Sequence, residues 1–150
     1  MRIKNIVESL CRKYATRNPY ELAEYKSFQI VKTSLGGIKG YYSTCYKQRI
    51  IHINSDISEI EQRHTCAHEL GHGILHPDSN TPFLRANSLF PIGKYEKEAE
   101  HFAVDLLYSD EDLQEYFEFS TPQIAECLKL PIPLVEYRLS VIKKRLRLPV

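Results

Sequence analysis

A histidine pair at His68 and His72, with Glu69 directly after its first member, is the feature of this chain best suited to chemistry. On a helix, residues four apart project from one face, with their side chains about 6 Å apart. Two imidazoles so placed can reach a single zinc ion at roughly 2.0–2.1 Å each. Glu69 lies about 100° further round the axis, beside that face, where its carboxylate can touch a metal-held water without ligating the metal. The chemistry open to such a set is activation of water by zinc, with Glu69 as general base. Gly71, between the two histidines, costs roughly 1 kcal/mol of helix propensity relative to alanine. It therefore predicts a neighbouring helix or strand packed close at this point.

Histidines recur every four residues here, at His64, His68, His72 and His76. Each step drifts about 40° round the axis, so the outer pair diverge by about 120° and only adjacent ones can share an ion. His68 and His72 are preferred because a carboxylate follows the first of them; His64 and His76 are read as facing solvent or supporting the ligands. His52 and His101 are isolated and are read as structural. A catalytic zinc takes three protein ligands and leaves a fourth position open. The candidates for the third are Glu96, Glu98 and Glu100, on a later helix whose core face is marked by Ala99, Phe102, Ala103, Leu106 and Leu107. Glu96 sits about 50° from the centre of that stripe, Glu100 about 90° and Glu98 about 110° on the opposite flank. Glu96 is the preferred ligand. Glu100, one turn later, is placed to accept a hydrogen bond from the distal N–H of a ligating histidine and so fix its tautomer.

These residues need elements to position them. Ser58 and Glu61 have capping-box spacing, and the sequence reads helical from there to about His76, before Pro77 and Asp78. The second helix is expected over about Tyr95 to Leu107, after a long segment carrying Phe83, Leu84, Leu89 and Phe90. Upstream, Ile3, Ile6, Val7, Leu10 and Tyr14 form a helical stripe, and Asn18-Pro19 starts a short helix. Three β-like runs follow, Phe28 to Thr33, Ile38 to Tyr46 and Arg49 to Asn54, expected as a small antiparallel sheet or meander. Either of the last two runs is a candidate edge strand for adding a substrate peptide; the substrate-binding residues themselves are unknown from sequence. Downstream, a short helix capped by Ser109 and two more, near Thr121 to Leu130 and Ile132 to Leu146, complete the chain.

The chain of 150 residues is 43% hydrophobic with a net charge of +1. That length supports one ordinary core, so a single domain over 1–150 is expected, with the helices at about 109–146 a possible substrate-docking subregion. The charge balance gives no bulk reason to expect nucleic acid or an anionic membrane as partner. Glu8, Arg12 and Lys13 interrupt the apolar start, which argues against an export signal, and nothing approaches a membrane span. The cysteines Cys11, Cys45, Cys66 and Cys127 are widely spaced, without a CxxC pair, and are expected to be buried, reduced thiols in a cytoplasmic protein.

The strings Ile51-His-Ile-Asn54, Arg63-His-Thr-Cys-Ala-His-Glu-Leu-Gly-His-Gly-Ile-Leu-His76 and Glu96-Lys-Glu-Ala-Glu-His-Phe-Ala-Val-Asp-Leu-Leu107 together resemble the ImmA/IrrE family of metallo-endopeptidases. The likeness runs in order over roughly residues 20 to 145. It implies an α+β, zincin-like fold with a small antiparallel or mixed three-stranded sheet packed on the active-site helix. It implies one zinc per chain on His68, His72 and Glu96, with Glu69 as catalytic base. It further implies a bacterial or prophage-encoded regulator whose protein substrate is a helix-turn-helix transcriptional repressor. The chain departs from the family at Glu100, where asparagine or aspartate is usual, and at Leu106-Leu-Tyr-Ser109, where a Leu-Leu-Met-Pro ending is usual. Two rival readings remain. One is a non-catalytic anti-repressor that grips the repressor, its zinc structural. The other is direct DNA binding by the two helices of Thr121 to Leu139, disfavoured because the second begins Ile132-Pro-Leu-Val-Glu, poor in base-reading groups.

Overall fold

The computed structural model of the protein describes residues 2–82 and 92–145. Helices α1 (Arg2–Tyr14) and α2 (Pro19–Tyr25) precede strands β1 (Phe28–Thr33), β2 (Gly40–Cys45) and β3 (Gln48–Asn54). Five helices follow: α3 (Glu59–Leu75), α4 (Ile92–Leu107), α5 (Asp110–Gln114), α6 (Thr121–Leu128) and α7 (Ile132–Arg145). The class is α+β, as expected. The capping signals act as their side chains allow. Asn18 accepts from Tyr20 N–H, Ser58 from Glu61 N–H, and Ser109 and Ser120 complete capping boxes with Asp112 and Gln123. α4 begins at Ile92, earlier than Tyr95, and Phe83, Leu84, Leu89 and Phe90 lie outside the described residues.

The sheet is mixed, in the order β1-β3-β2, with β1 parallel and β2 antiparallel to β3. The mixed alternative for the three-stranded sheet is the one present, and the purely antiparallel meander read from the strand runs is corrected. β3 carries Ile51 and Ile53, both fully buried, and the strand richest in buried isoleucine takes the centre, flanked by Ile30 and Tyr42 at the level of Ile51. Arg49 to Asn54 is therefore paired on both sides and offers no edge. β2 is an edge strand, but part of its outer side is already taken. Thr81 Oγ1 accepts from Tyr42 N–H at 2.9 Å and donates to Tyr42 C=O at 3.2 Å, and Asn80 Oδ1 accepts from Thr44 N–H at 2.8 Å. Asn54, at the end of β3, organises the β1–β2 connection. Its amide donates to Gly36 and Ile38 C=O, and its oxygen accepts from Asp56 N–H at 2.9 Å.

α3 packs between the sheet and α4, and the core is built on Leu22, Tyr42, Ile51, Ile53, Cys66, Leu70, Phe102 and Leu106. Ile3, Val7 and Cys11 add one face of α1. A second, smaller cluster joins α6 to α7 through Ile124, Ala125 and Val135. Cys11 and Cys66 are buried, whereas Cys45 and Cys127 are exposed, which corrects the expectation of four buried thiols; none forms a disulfide. Desolvation raises the Cys66 thiol to about 12, so it stays protonated and packs as a small hydrophobe. No helix among the described residues is long and apolar enough to cross a membrane.

Buried charges join the two clusters. Arg138 of α7, 1% exposed, donates to Asp110 and to Tyr108 C=O, each at 2.8 Å, and lies 3.4 Å from Asp105. Tyr137 donates to the other oxygen of Asp105 at 2.6 Å. Lys4, also 1% exposed, sits 2.6 Å from Glu8 and 3.1 Å from Asp110. Arg17 donates to Asp105 and Leu106 C=O, so Arg17 and Arg138 together satisfy carbonyls at the end of α4, where cations are favoured.

Replacing Arg138 by Met leaves Asp105 buried without its counter-ion, and should cost about 3–5 kcal/mol in urea unfolding. The double variant Arg138→Met/Asp105→Asn should recover part of that loss. Burial raises the Glu8 and Asp110 carboxyls, but their cationic partners outweigh it and hold both below the ordinary carboxylate range. A depressed carboxylate stabilises the fold above its unfolded pKa, near 4.5 for Glu8, and that stability is lost as pH falls through the folded value. The thermal midpoint should therefore drop on acidification below about pH 4.5, and Glu8→Gln should flatten the profile.

Candidate metal centre

α3 carries its polar side chains into a wholly packed stretch: from Thr65 to Gly73 every residue is buried. Such burial of two histidines and a glutamate requires partners, because unpaired polar groups away from water cost several kcal/mol. α4 supplies them. Glu96 accepts from His68 Nε2 at 2.9 Å with one carboxylate oxygen and from His72 Nε2 at 3.1 Å with the other. Glu100 contacts His68 Nδ1 and lies 3.6 Å from His64 Nε2. The His68 and His72 rings meet edge to face, with centroids 4.8 Å apart. His72 is fully buried, and its Nδ1 has no hydrogen-bond partner among the described residues, which leaves its Nε2 side, toward Glu96, as its polar engagement.

Glycine makes this approach possible. A Cβ on Gly71 would stand 3.0 Å from Cβ and Cγ of Phe102 on α4, so the glycine lets the two helices close up. The packing expected from sequence at this position is present. Gly73 faces the other way, and a Cβ there would lie 2.3 Å from Phe28 and 2.9 Å from Tyr42. That second glycine carries no sequence signal of its own, because its constraint comes from two rings on the sheet.

The electrostatics follow from the crowding of carboxylates. Burial alone would push the His68 pKa down, yet Glu100 and Glu96 at its two nitrogens overcome this and hold it at about 10. Glu96 and Glu100 in turn are held far below the usual carboxylate range despite their own burial, through their histidine contacts. His68 is thus clasped between two carboxylates, whose charge favours a positive charge at this point.

The donor atoms suit a small divalent ion. A tetrahedral ion with bonds of about 2.0–2.1 Å spaces its ligand atoms about 3.3–3.4 Å apart. The 2.9 and 3.1 Å separations of Glu96 from the two Nε2 atoms are within a few tenths of an ångström of that edge. Glu69 is 2% exposed and its Oε2 lies 4.0 Å from His68 Nε2, longer than the edge. Ligand atoms of His68, Glu69 and His72 still fall within 4.8 Å of one another. Glu96 thus stands closer to His68 Nε2 than Glu69 does, and both carboxylates flank the pair.

His64 stays beside the cluster through Glu100, whereas His52, His76, His101 and Glu98 turn to other partners. Glu98 pairs with Arg2, and its other oxygen lies 3.5 Å from His76, whose ring meets Tyr95. His52 stacks on Tyr41 and shares a hydrogen bond with Ser43, and His101 stacks on Tyr137. A cleft of about 840 Å³ reaches His64, His68, Glu69 and Glu100, a size typical of ligand sites. It is lined by the β1–β2 connection, the first turns of α3, the end of α4 and the α6–α7 turn. Sequence reasoning left the cleft residues unassigned, because segments about 90 residues apart in the chain build its walls.

A peptidase family model, M78, described as the IrrE N-terminal-like domain, matches residues 23–140. The chain is 41% identical over 139 residues to the uncharacterized immunity region protein 2 of Bacillus phage phi105, covering 91% of this chain and 88% of that protein. It is 34% identical over 146 residues to the metallopeptidase ImmA of Bacillus subtilis (strain 168), covering 93% of this chain and 85% of that one.

Alanine at Gly73 should destabilise the fold by about 1–3 kcal/mol in urea unfolding, since two buried rings must move. Gly71→Ala should cost less, because the clash is milder and alanine regains about 1 kcal/mol of helix propensity.

Proposed function

The chain belongs to the IrrE N-terminal-like M78 peptidase family and is a metallo-endopeptidase; from that premise we propose that it cuts a transcriptional repressor using zinc, with Glu69 as the general base. The observation that carries the assignment of residues is the Glu96 carboxylate facing both His68 Nε2 and His72 Nε2. His68, His72 and Glu96 would hold one zinc ion per chain. When bound, zinc supplies Lewis acidity, bringing the pKa of water toward 7 and polarising a peptide carbonyl.

The chain's own groups supply the rest. Glu69, recessed beside the pair on the cleft side, takes the proton of the attacking water and passes it to the leaving amine. Glu100 accepts from His68 Nδ1–H, which fixes the tautomer that leaves the Nε2 lone pair for the metal. Burial of Glu69 and His72 keeps competing water away from the proton path.

The substrate reading rests on the relatives. One is named a phage immunity region protein and another ImmA, which supports a protein substrate in a phage repressor system, a helix-turn-helix repressor being our choice. α6 and α7 pack on each other through Ile124, Ala125 and Val135, and α7 opens with Ile132 and Pro133, which favours a wall of the cleft over a DNA-reading unit.

Purified protein should carry one zinc per chain by elemental analysis. Glu69→Gln should keep that zinc and lose at least about 100-fold in cleavage of a cognate repressor. His72→Ala should lose both metal and activity. Cleavage persisting in Glu69→Gln would remove Glu69 from the base role. Loss of intact repressor in one-to-one proportion with added protein would replace peptidase action on it by binding.

A further inference from the structure

The cleft beside Glu69 combines an apolar lining with exposed cations that have no ion pair among the described residues. Ile38, 49% exposed, and Ile60, 80% exposed, stand on it, with Leu128 and Leu130 contributed by the α6–α7 turn. Lys39, Arg63 and Lys129 also line it, and none of the three has an ion pair among the described residues. The carboxylates of the same cleft are Glu61, at the exposed start of α3, and Glu69 and Glu100, which belong to the histidine cluster. Away from that cluster, three cations face a single acid.

Lys129 is the most informative of the three. It closes α6 in the left-handed conformation, φ 55° and ψ 45°, with its N–H on Ala125 C=O. Glycine is the residue this position normally takes, and an L-residue with a Cβ pays for the conformation. Other non-glycine residues share this backbone, Lys47 among them, but Lys129 is the one that lines the cleft, where its charge is available to a ligand. The opposing rim is held in place as well: Asn54, 1% exposed, binds Ile38 C=O at 2.9 Å and so fixes the connection that carries Ile38 and Lys39.

We infer that Lys129, with Arg63 and Lys39, is a specificity-determining residue that selects a substrate segment bearing an acidic side chain next to an apolar one. The inference rests on the cleft being the peptidase's substrate site. The apolar lining fits the hydrophobic part of such a segment, and the uncompensated cations fit its carboxylate. Three cations are too few, and too interleaved with isoleucine and leucine, to form the phosphate-tracking stripe that nucleic acid needs.

The test separates recognition from chemistry by using zinc-loaded Glu69→Gln as a trap. Peptides in a neutral Leu/Ala/Gln host, with each position in turn Asp, Asn or Lys, are applied at low and high salt. Asp peptides should be retained at least about fivefold better than their Asn counterparts, with Lys peptides weakest and the difference shrinking in high salt. Adding Lys129→Glu should remove most of the preference for Asp. Lys129→Gly should reduce the preference by a smaller amount while raising the thermal midpoint by about 2–4 °C, because the left-handed strain is relieved. That rise shows that the loss of preference is not a loss of fold. Retention independent of peptide charge, or an acidic preference unchanged in both Lys129 variants, overturns the inference. So does displacement of the peptide by duplex DNA beyond the effect of matched salt. Cleavage by the wild-type protein is read separately, and its absence would strike the peptidase reading whatever the retention pattern.

Discussion

The close packing of α3 against α4 is the constraint on which the rest of the structure depends. His64, His68 and His72 of α3 meet Glu96 and Glu100 of α4 across that interface, where Gly71 leaves room for Phe102 that a Cβ would crowd. A single added methyl would push α4 outward by a few tenths of an ångström or more. Hydrogen bonds of 2.9 and 3.1 Å from Glu96 to two imidazoles do not survive such a shift unchanged. Gly73 plays the matching part on the sheet side, so α3 is seated between Phe102 and the Phe28–Tyr42 pair. The remaining elements hold this sandwich closed. Arg17 from the segment after α1 and Arg138 from α7 both bind carbonyls at the end of α4, which fixes the helix that carries Glu96 and Glu100.

Much of this was legible in the sequence because it is local. Helix starts were marked by side chains that cap them, Asn18, Ser58 and Ser109, and those residues do accept the N–H groups expected of them. Helical geometry also separated Glu96 from Glu98, and the two do turn to different partners, the His68–His72 pair and Arg2. What was not legible is long-range. Strand order depends on which strand the sheet buries on both sides, and the run from Gln48 to Asn54 proved central although its ends are polar. Nothing in the local sequence marks Lys4 or Arg138 for burial, yet both are buried because acids on α1, α4 and α5 surround them. Nor does any local signal mark Lys129, a lysine standing where a glycine belongs.

The site couples its electrostatics to its function in a simple way. Three carboxylates and two imidazoles are crowded together beside the cleft, and the carboxylates favour positive charge among them. His68 supplies it when protonated, with its pKa lifted to about 10 by Glu100 and Glu96. A divalent ion would take over that role, with the imidazole reverting to a neutral ligand, so metal uptake and proton release go together. The chain's membership of a metallopeptidase family and its crowded carboxylates thus point to the same requirement, one by descent and the other by charge.

X-ray absorption at the zinc edge of the loaded protein addresses the central claim most directly, because it counts ligand atoms around the ion itself. The expected coordination is two imidazole nitrogens with oxygen neighbours from one carboxylate and solvent, all at about 2.0–2.2 Å. A third imidazole, which would bring in His64 or His76, or a sulfur neighbour near 2.3 Å, would contradict it.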